Sequence, residues 1–115
     1  MHKYRYILKI DTNDNAYTLE IGNNLIDEAI RNDLGCSFEI VHPKGLSHSY
    51  NMLVDGEGVL KGLDINNVGS YLYGTHEHGV PIVGPIYIVR SIEGEFFGLS
   101  EKDVLDFKER FNKAI

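Results

Sequence analysis

Two histidines and a glutamate stand close together in the string Thr75-His76-Glu77-His78-Gly79. In an extended segment, side chains at positions i and i+2 lie on one face, so His76 and His78 could bind zinc together. A third ligand would come from one of three other residues: His42, His48 or Glu39. The string lies in a turn-rich stretch, where such residues are more often exposed to solvent. We therefore predict no metal site, and keep a metal-dependent enzyme using His76 and His78 as an alternative.

A loop rich in glycines, carboxylates and amides is predicted over residues 54–67, VDGEGVLKGLDINN. Such a loop offers backbone N–H groups and polar side chains to a small polar ligand, for example a nucleotide-derived signal. The residues that would contact this ligand are Asp55, Glu57, Lys61, Asn66 and Asn67. We favour a second explanation, in which Gly56 and Gly58 supply positive φ angles for the turn. The two asparagines would then satisfy backbone groups of an irregular loop.

Cys36 is the only cysteine of the chain, so it cannot form an internal disulfide. It could pair with His42 or His48 as a thiol and imidazole, but a buried structural cysteine fits its place before an apolar segment better. No G-x-S-x-G, G-x-x-x-x-G-K-[ST] or G-x-G-x-x-G string occurs. Serine hydrolases, P-loop enzymes and dinucleotide-binding enzymes therefore lack support, and we expect no cofactor.

Length and charge limit the class of protein further. The chain has 115 residues, the size of one domain, and its 17 acidic against 11 basic residues give a net charge of -6. Without a cluster of Lys and Arg, nucleic acid is not expected as a partner. No apolar run is long enough to span a membrane, and the first residues do not resemble a secretion signal. We expect a single cytoplasmic domain.

The first half of the chain shows alternating strands and one amphipathic helix. Apolar residues alternate over 4–10 and 17–21, which predicts a β-hairpin. A helix capped by Asn23 or Asn24 and ended by Gly35 should follow. Residues 38–41 predict a short strand, and residues 50–54 predict another that forms a second hairpin with 59–61 through the glycine-rich turn.

The second half begins with an irregular stretch, 62–79, which we interpret as mostly loop with one or two helical turns. Residues 82–90 are the most apolar and predict a central strand that contains Pro85. Ser100 and Asp103 form a capping-box pattern at the start of a final helix, and Leu99 is placed to contact Val104.

These elements predict an α+β fold: a mainly antiparallel sheet of about five to seven short strands with two helices packed on one face. The expected order is β-β-α-β-β-loop-β-β-α.

The string Asp55-Gly56-Glu57-Gly58-Val59-Leu60-Lys61-Gly62-Leu63-Asp64-Ile65-Asn66 resembles a signature, N-E-E-G-x-L-K-G-L-x-x-N. The signature is that of a family of uncharacterised small proteins from phages, plasmids and other mobile elements of bacteria. Residues 84–89 and 94–100 are also similar to segments of this family, so the likeness spans most of the chain. The family is known as a domain of unknown function. The resemblance implies a compact α+β accessory protein of a bacterium or phage, without naming a reaction.

The function that these observations favour is non-enzymatic. We expect an accessory binding protein that acts by contact with a host or phage protein, and self-association into a homo-oligomer stays open. Seven tyrosines would supply amphipathic contact surface: Tyr4, Tyr6, Tyr17, Tyr50, Tyr71, Tyr73 and Tyr87. A small-molecule binder using the 55–67 loop is the first alternative, and the metal-dependent enzyme is the second.

Overall fold

A computed structural model of the protein describes residues 4–21 and 26–114. The strands are β1 Tyr4–Ile10, β2 Ala16–Glu20, β3 Phe38–Val41, β4 Tyr50–Asp55, β5 Ile86–Ile92, β6 Glu95–Phe97 and β7 Leu99–Ser100. The helices are α1 Ile26–Leu34, α2 Asn67–Tyr73, α3 Thr75–His78 and α4 Glu101–Ala114. The predicted α+β class with a seven-stranded antiparallel sheet is confirmed.

The sheet has the strand order β2-β1-β5-β4-β3, and β6 and β7 extend it beside β5 and β1. The predicted opening hairpin is β1–β2, and β5 lies in the middle of the order, as its apolar sequence indicated. The strand begins at Ile86 instead of Ile82. Pro85 stands directly before this first residue, and proline has no backbone N–H to donate to a neighbouring strand.

Both faces of the sheet are covered, which corrects the prediction that the helices pack on one face. Leu8 and Ile88 point to one side, where α2 and α4 cover them, while Ile7 and Tyr87 point to the other, where α1 lies. The central strands are therefore apolar on both sides. A prediction based on alternating apolar and polar residues assumes that one face is exposed, so it does not detect the second layer of helix.

Two segments differ from the predicted elements. Residues 56–62 form turns instead of a strand, and β4 pairs with β3 and β5. The predicted hairpin between β4 and residues 59–61 was therefore wrong. The stretch predicted as mostly loop contains α2 and α3. Helix α2 forms because Asn66 caps it, accepting a hydrogen bond from Gly69 N–H at 2.8 Å, and because its apolar side pairs Val68 with Leu72.

The capping box of α4 is confirmed. Asp103 N–H donates to Ser100 Oγ at 3.1 Å, and Ser100 N–H donates to Asp103 Oδ2 at 3.0 Å. Leu99 and Val104 are both buried beside this cap. At α1, Gly35 adopts a φ of 80° and ends the helix, while the predicted caps Asn23 and Asn24 lie outside the described residues. No helix in the described part of the chain is long and apolar enough to cross a membrane.

Candidate functional site

A tightly connected polar cluster lies where β4 ends, around the side chain of Asp55. This side chain is only 3% exposed, and its carboxylate accepts hydrogen bonds from Lys61 Nζ at 2.8 Å, Glu57 N–H at 2.7 Å and Cys36 Sγ at 3.1 Å. Burial acts to raise the pKa of Asp55, but these hydrogen bonds outweigh it and the pKa lies below its usual value. A buried, ionised carboxylate therefore holds the start of the loop.

Cys36 and Lys61 complete the cluster. Lys61 Nζ also donates to Cys36 Sγ at 3.2 Å, and Glu57 Oε2 lies 3.9 Å from the same ammonium. The hydrogen bond to Asp55, together with burial, raises the pKa of the Cys36 thiol, so the thiol stays protonated at neutral pH and is a poor nucleophile. The sequence predicted a buried structural cysteine, but Cys36 is only half-buried. Its thiol contacts the carboxylate of Asp55 and the ammonium of Lys61.

The same cluster contains a set of donors that a metal ion could use. Ligand atoms of Cys36, Asp55 and Glu57 all lie within 4.8 Å of one another, and this is the group of three that the described residues bring together. Lys61 already supplies a positive charge to all three side chains. A metal ion would have to displace this ammonium, so the cluster is better suited to hold the loop than to hold a cation.

The backbone of the loop is fixed by its own hydrogen bonds. Lys61 N–H donates to Glu57 O at 2.9 Å, and Leu63 N–H donates to Gly58 O at 3.1 Å. The prediction of positive φ angles at Gly56 and Gly58 was wrong. In this loop the glycine with a positive φ is Gly62, at 67°. Gly58 is required for space instead, since a Cβ there would lie 2.9 Å from Val83 Cγ2.

At the outer end of the loop, two apolar side chains face solvent. Val59 is 81% exposed and Leu60 is 89% exposed, although the backbone that carries them is held by the Asp55 cluster and by turn hydrogen bonds. Single exposed apolar residues are common on protein surfaces. Two adjacent ones on a fixed loop form a small projecting contact surface, which we call the Val59–Leu60 tip.

The five residues predicted to bind a ligand do not form one site. Asp55, Glu57 and Lys61 come together, whereas Asn67 is exposed at the start of α2. Asn66 is fully buried, and its amino group donates to Ile10 O at 3.0 Å and Gly84 O at 2.9 Å. Asn66 therefore ties α2 to the sheet, in agreement with the backbone role that the sequence favoured for it.

The extended backbone that the predicted zinc site assumed is not observed at residues 75–78. These residues form the single helical turn α3, in which positions i and i+2 point to different sides, and His76 is exposed. His42, one of the suggested third ligands, contacts Asn51 instead, with 3.0 Å between its Nδ1 and Asn51 Oδ1.

Several predicted contact tyrosines serve the interior. Tyr87 is fully buried and donates to Asp33 Oδ2 at 2.6 Å, and Tyr50 donates to Asp103 Oδ1 at 3.0 Å. Tyr17 and Tyr71 are exposed, as a contact surface requires. Tyr87 differs from the two exposed tyrosines because it lies on β5, a central strand that is covered on both faces and gives this side chain no access to solvent.

The acid sensitivity of the fold should depend on Asp55. Because its folded pKa is lowered, its ionisation stabilises the native state above the unfolded pKa of about 3.9, and this contribution is lost as pH falls through the folded value. We expect the unfolding free energy of Asp55→Asn, measured in urea from neutral to acidic pH, to fall less steeply than that of the parent. Asp64→Asn is the control, because Asp64 is an exposed residue on the same loop. Its unfolding free energy should fall with pH as steeply as that of the parent, since Asp55 is unchanged. Parental acid sensitivity in Asp55→Asn would show that the ionised carboxylate does not stabilise the fold.

Comparison with known proteins gives a family but no activity. Neither the curated proteins nor the solved structures include a significant match to this chain. A family model described as a domain of unknown function, DUF3846, matches residues 3–112. Because this match covers almost the whole chain, the protein belongs to the DUF3846 family.

Proposed function

We propose that this protein is an accessory binding protein of a bacterial phage or mobile element, and that it contacts a host or phage protein through the Val59–Leu60 tip. The observation that carries the proposal is the exposure of both side chains, 81% and 89%, on a loop with a fixed backbone. Burying one Val or Leu side chain at an interface contributes about 1.5–3 kcal/mol, so the tip can supply much of the affinity of a modest complex.

The Asp55 cluster explains why this surface suits binding. A flexible loop loses conformational freedom when it binds, and this loss reduces affinity. Here Asp55, Lys61 and Cys36 hold the two ends of the turn together before any partner arrives. The tip is therefore presented in one arrangement, and little ordering is needed on binding.

The cellular context is part of the proposal. The resemblance to proteins of phages and plasmids supports a mobile-element origin, and the free thiol of Cys36 is in the form that a reducing cytoplasm maintains. The exposed Tyr17 and Tyr71 add amphipathic contact area on other parts of the surface.

The alternative of a small ligand held by the 55–67 loop has less support. Asp55 and Lys61 are paired with each other at 2.8 Å, and the amide of Asn66 is used inside the fold. A ligand would have to compete with these contacts, and no described group in the cluster points to one. For a metal-dependent enzyme based on His76 and His78, the backbone at residues 75–78 is helical instead of the extended form on which that alternative relied.

The proposal is tested by comparing capture of partners by three forms of the tagged protein from the bacterium that encodes it. The double variant Val59→Ser, Leu60→Ser removes the tip, and Leu105→Ser is the control because Leu105 is an exposed apolar residue on α4. We expect one dominant protein to be captured by the parent and by Leu105→Ser. With that protein purified, the double variant should bind about 100-fold more weakly, as expected from losing roughly 3 kcal/mol of apolar burial.

Two results would contradict the proposal. If the double variant binds the captured protein as tightly as the parent, the tip is not the contact surface. If light scattering shows that the purified parent dimerises and the double variant is monomeric, the tip serves a second copy of the chain instead of another protein.

A further inference from the structure

A second concave region lies far along the sheet from the Val59–Leu60 tip, between the β3–β4 connection and the end of β5. It is a pocket of about 480 Å³, within the size range of sites for small molecules. Most of the residues that line it are polar: His42, Lys44, Ser47, His48, Asn51 and Ser91. The pocket contains neither residue of the Val59–Leu60 tip, so an inference about it is independent of the proposed function.

The charge of this pocket differs from that of the whole protein. The chain has a net charge of -6, yet no aspartate or glutamate lines the pocket, whereas one lysine and two histidines do. Lys44 pairs with Glu77 on α3 at 2.8 Å, but both side chains are largely exposed, and such pairs are weak and easily exchanged. The pocket thus offers N–H and O–H donors and no anionic group.

Asn51 is the residue that points most directly to a ligand. It lies on β4 and is only 7% exposed, and it also lines the pocket. Its Oδ1 is 3.0 Å from His42 Nδ1, and because an amide oxygen can only accept, His42 must donate through that nitrogen. The amino group of Asn51 makes no hydrogen bond to any of the described residues, and it is not among their buried unpaired polar atoms, so it is accessible to a molecule that enters the pocket.

The geometry points to a binding site for a small molecule that carries an oxyanion, either a phosphate or a carboxylate, in the pocket beside Asn51. The oxygen atoms of such a group would accept from the Asn51 amino group and from the Ser91 hydroxyl, and Lys44 would supply the opposite charge. His48 lies at the rim of the same pocket as a further donor. An oxyanion would satisfy both features of the site, the Asn51 amino group that has no partner among the described residues and the lysine in a lining without carboxylates.

The test is a titration followed by amide NMR spectroscopy, with inorganic phosphate and citrate as two separate anionic probes and glucose as a neutral one. We expect phosphate, citrate or both to shift the side-chain NH₂ signals of Asn51 and the backbone signals around Ser91. Response to phosphate alone would identify a phosphate site, and response to citrate alone a carboxylate site. Shifts at these residues with glucose of the same size as with the anions would overturn the proposal, as would anion shifts confined to other residues.

Variants separate the site from general charge effects. Asn51→Asp keeps the size of the side chain but replaces the donor by an anion, and Lys44→Ala removes the exposed cation without touching the sheet. We expect at least about tenfold weaker anion binding for each, a loss equivalent to one charge-assisted hydrogen bond. The control Lys102→Ala, at an exposed lysine of α4, should bind as the parent does. If Asn51→Asp does not fold, parental affinity in both Lys44→Ala and Ser91→Ala would still overturn the proposal.

Discussion

Phe111→Ala should lower the free energy of unfolding by about 3–5 kcal/mol, the usual cost of removing a large aromatic side chain from a core. Phe111 is buried against the sheet, and its ring stacks on that of Phe107 with 5.8 Å between centroids and 4° between planes. Phe107 in turn contacts the Tyr50 ring edge-on at 5.0 Å. The substitution therefore leaves a cavity and removes one end of a row of three rings.

Urea unfolding of the parent and the variant measures this loss, and the melting temperature should fall by roughly 10–20 °C. Leu105→Ala is the matched control on the same helix, because Leu105 is exposed and surface changes of this kind usually alter stability by about 0.5 kcal/mol or less. A Phe111→Ala protein with parental stability would mean that α4 contributes little to the core.

Asn66→Ala is expected to destabilise the protein by about 3–5 kcal/mol, from the loss of a helix cap and from buried backbone groups left without partners. The single amide accepts from Gly69 N–H at 2.8 Å and donates to Ile10 O and Gly84 O. It therefore links β1, the segment before β5 and the start of α2. Thermal and urea unfolding of purified protein would measure the effect.

The neighbouring Asn67→Ala is the control, since Asn67 is exposed at the start of α2 and should lose about 0.5 kcal/mol or less. Equal stability of the two variants would contradict the role of Asn66 as a tie between elements. The expected difference also bears on the small-ligand alternative, because a residue required for the fold is not free to recognise a ligand.

Elements with strong local signals could be predicted from the sequence. The start of α4 followed from Ser100 and Asp103, which sit three residues apart and bond to each other's backbone. The opening hairpin followed from alternation around polar turn residues. Helix α2 was predicted only as one or two helical turns within a loop, because Gly69 lies within it and glycine normally weakens a helix. Glycine is needed at this position for a tertiary contact. A Cβ there would lie 2.8 Å from Ile86 Cγ2, so only glycine lets the helix approach β5 this closely.

The candidate site was only partly predictable for the same reason. Asp55, Glu57 and Lys61 are close in sequence, so their proximity could be anticipated. Cys36 joins them because β3 pairs with β4 in a register that places Phe38 opposite Asp55. Register of this kind depends on the whole sheet and leaves no local pattern. The Asn51 amino group without a described partner could not be anticipated either, because alternation on β4 marks the faces of a strand but not the hydrogen bonds of its side chains.

The place of β1 in the interior of the sheet, between β2 and β5, has a consequence for biosynthesis. Leu8 lies opposite Ile88, and Tyr6 lies opposite Leu99, so β1 finds two of its three partner strands only after β5 and β7 have been synthesised. Closing such long loops slows folding. Until then the nascent β1–β2 hairpin exposes Ile7 and Leu8, which are both fully buried in the finished protein. We therefore expect the early hairpin of the nascent chain to be a target for chaperones.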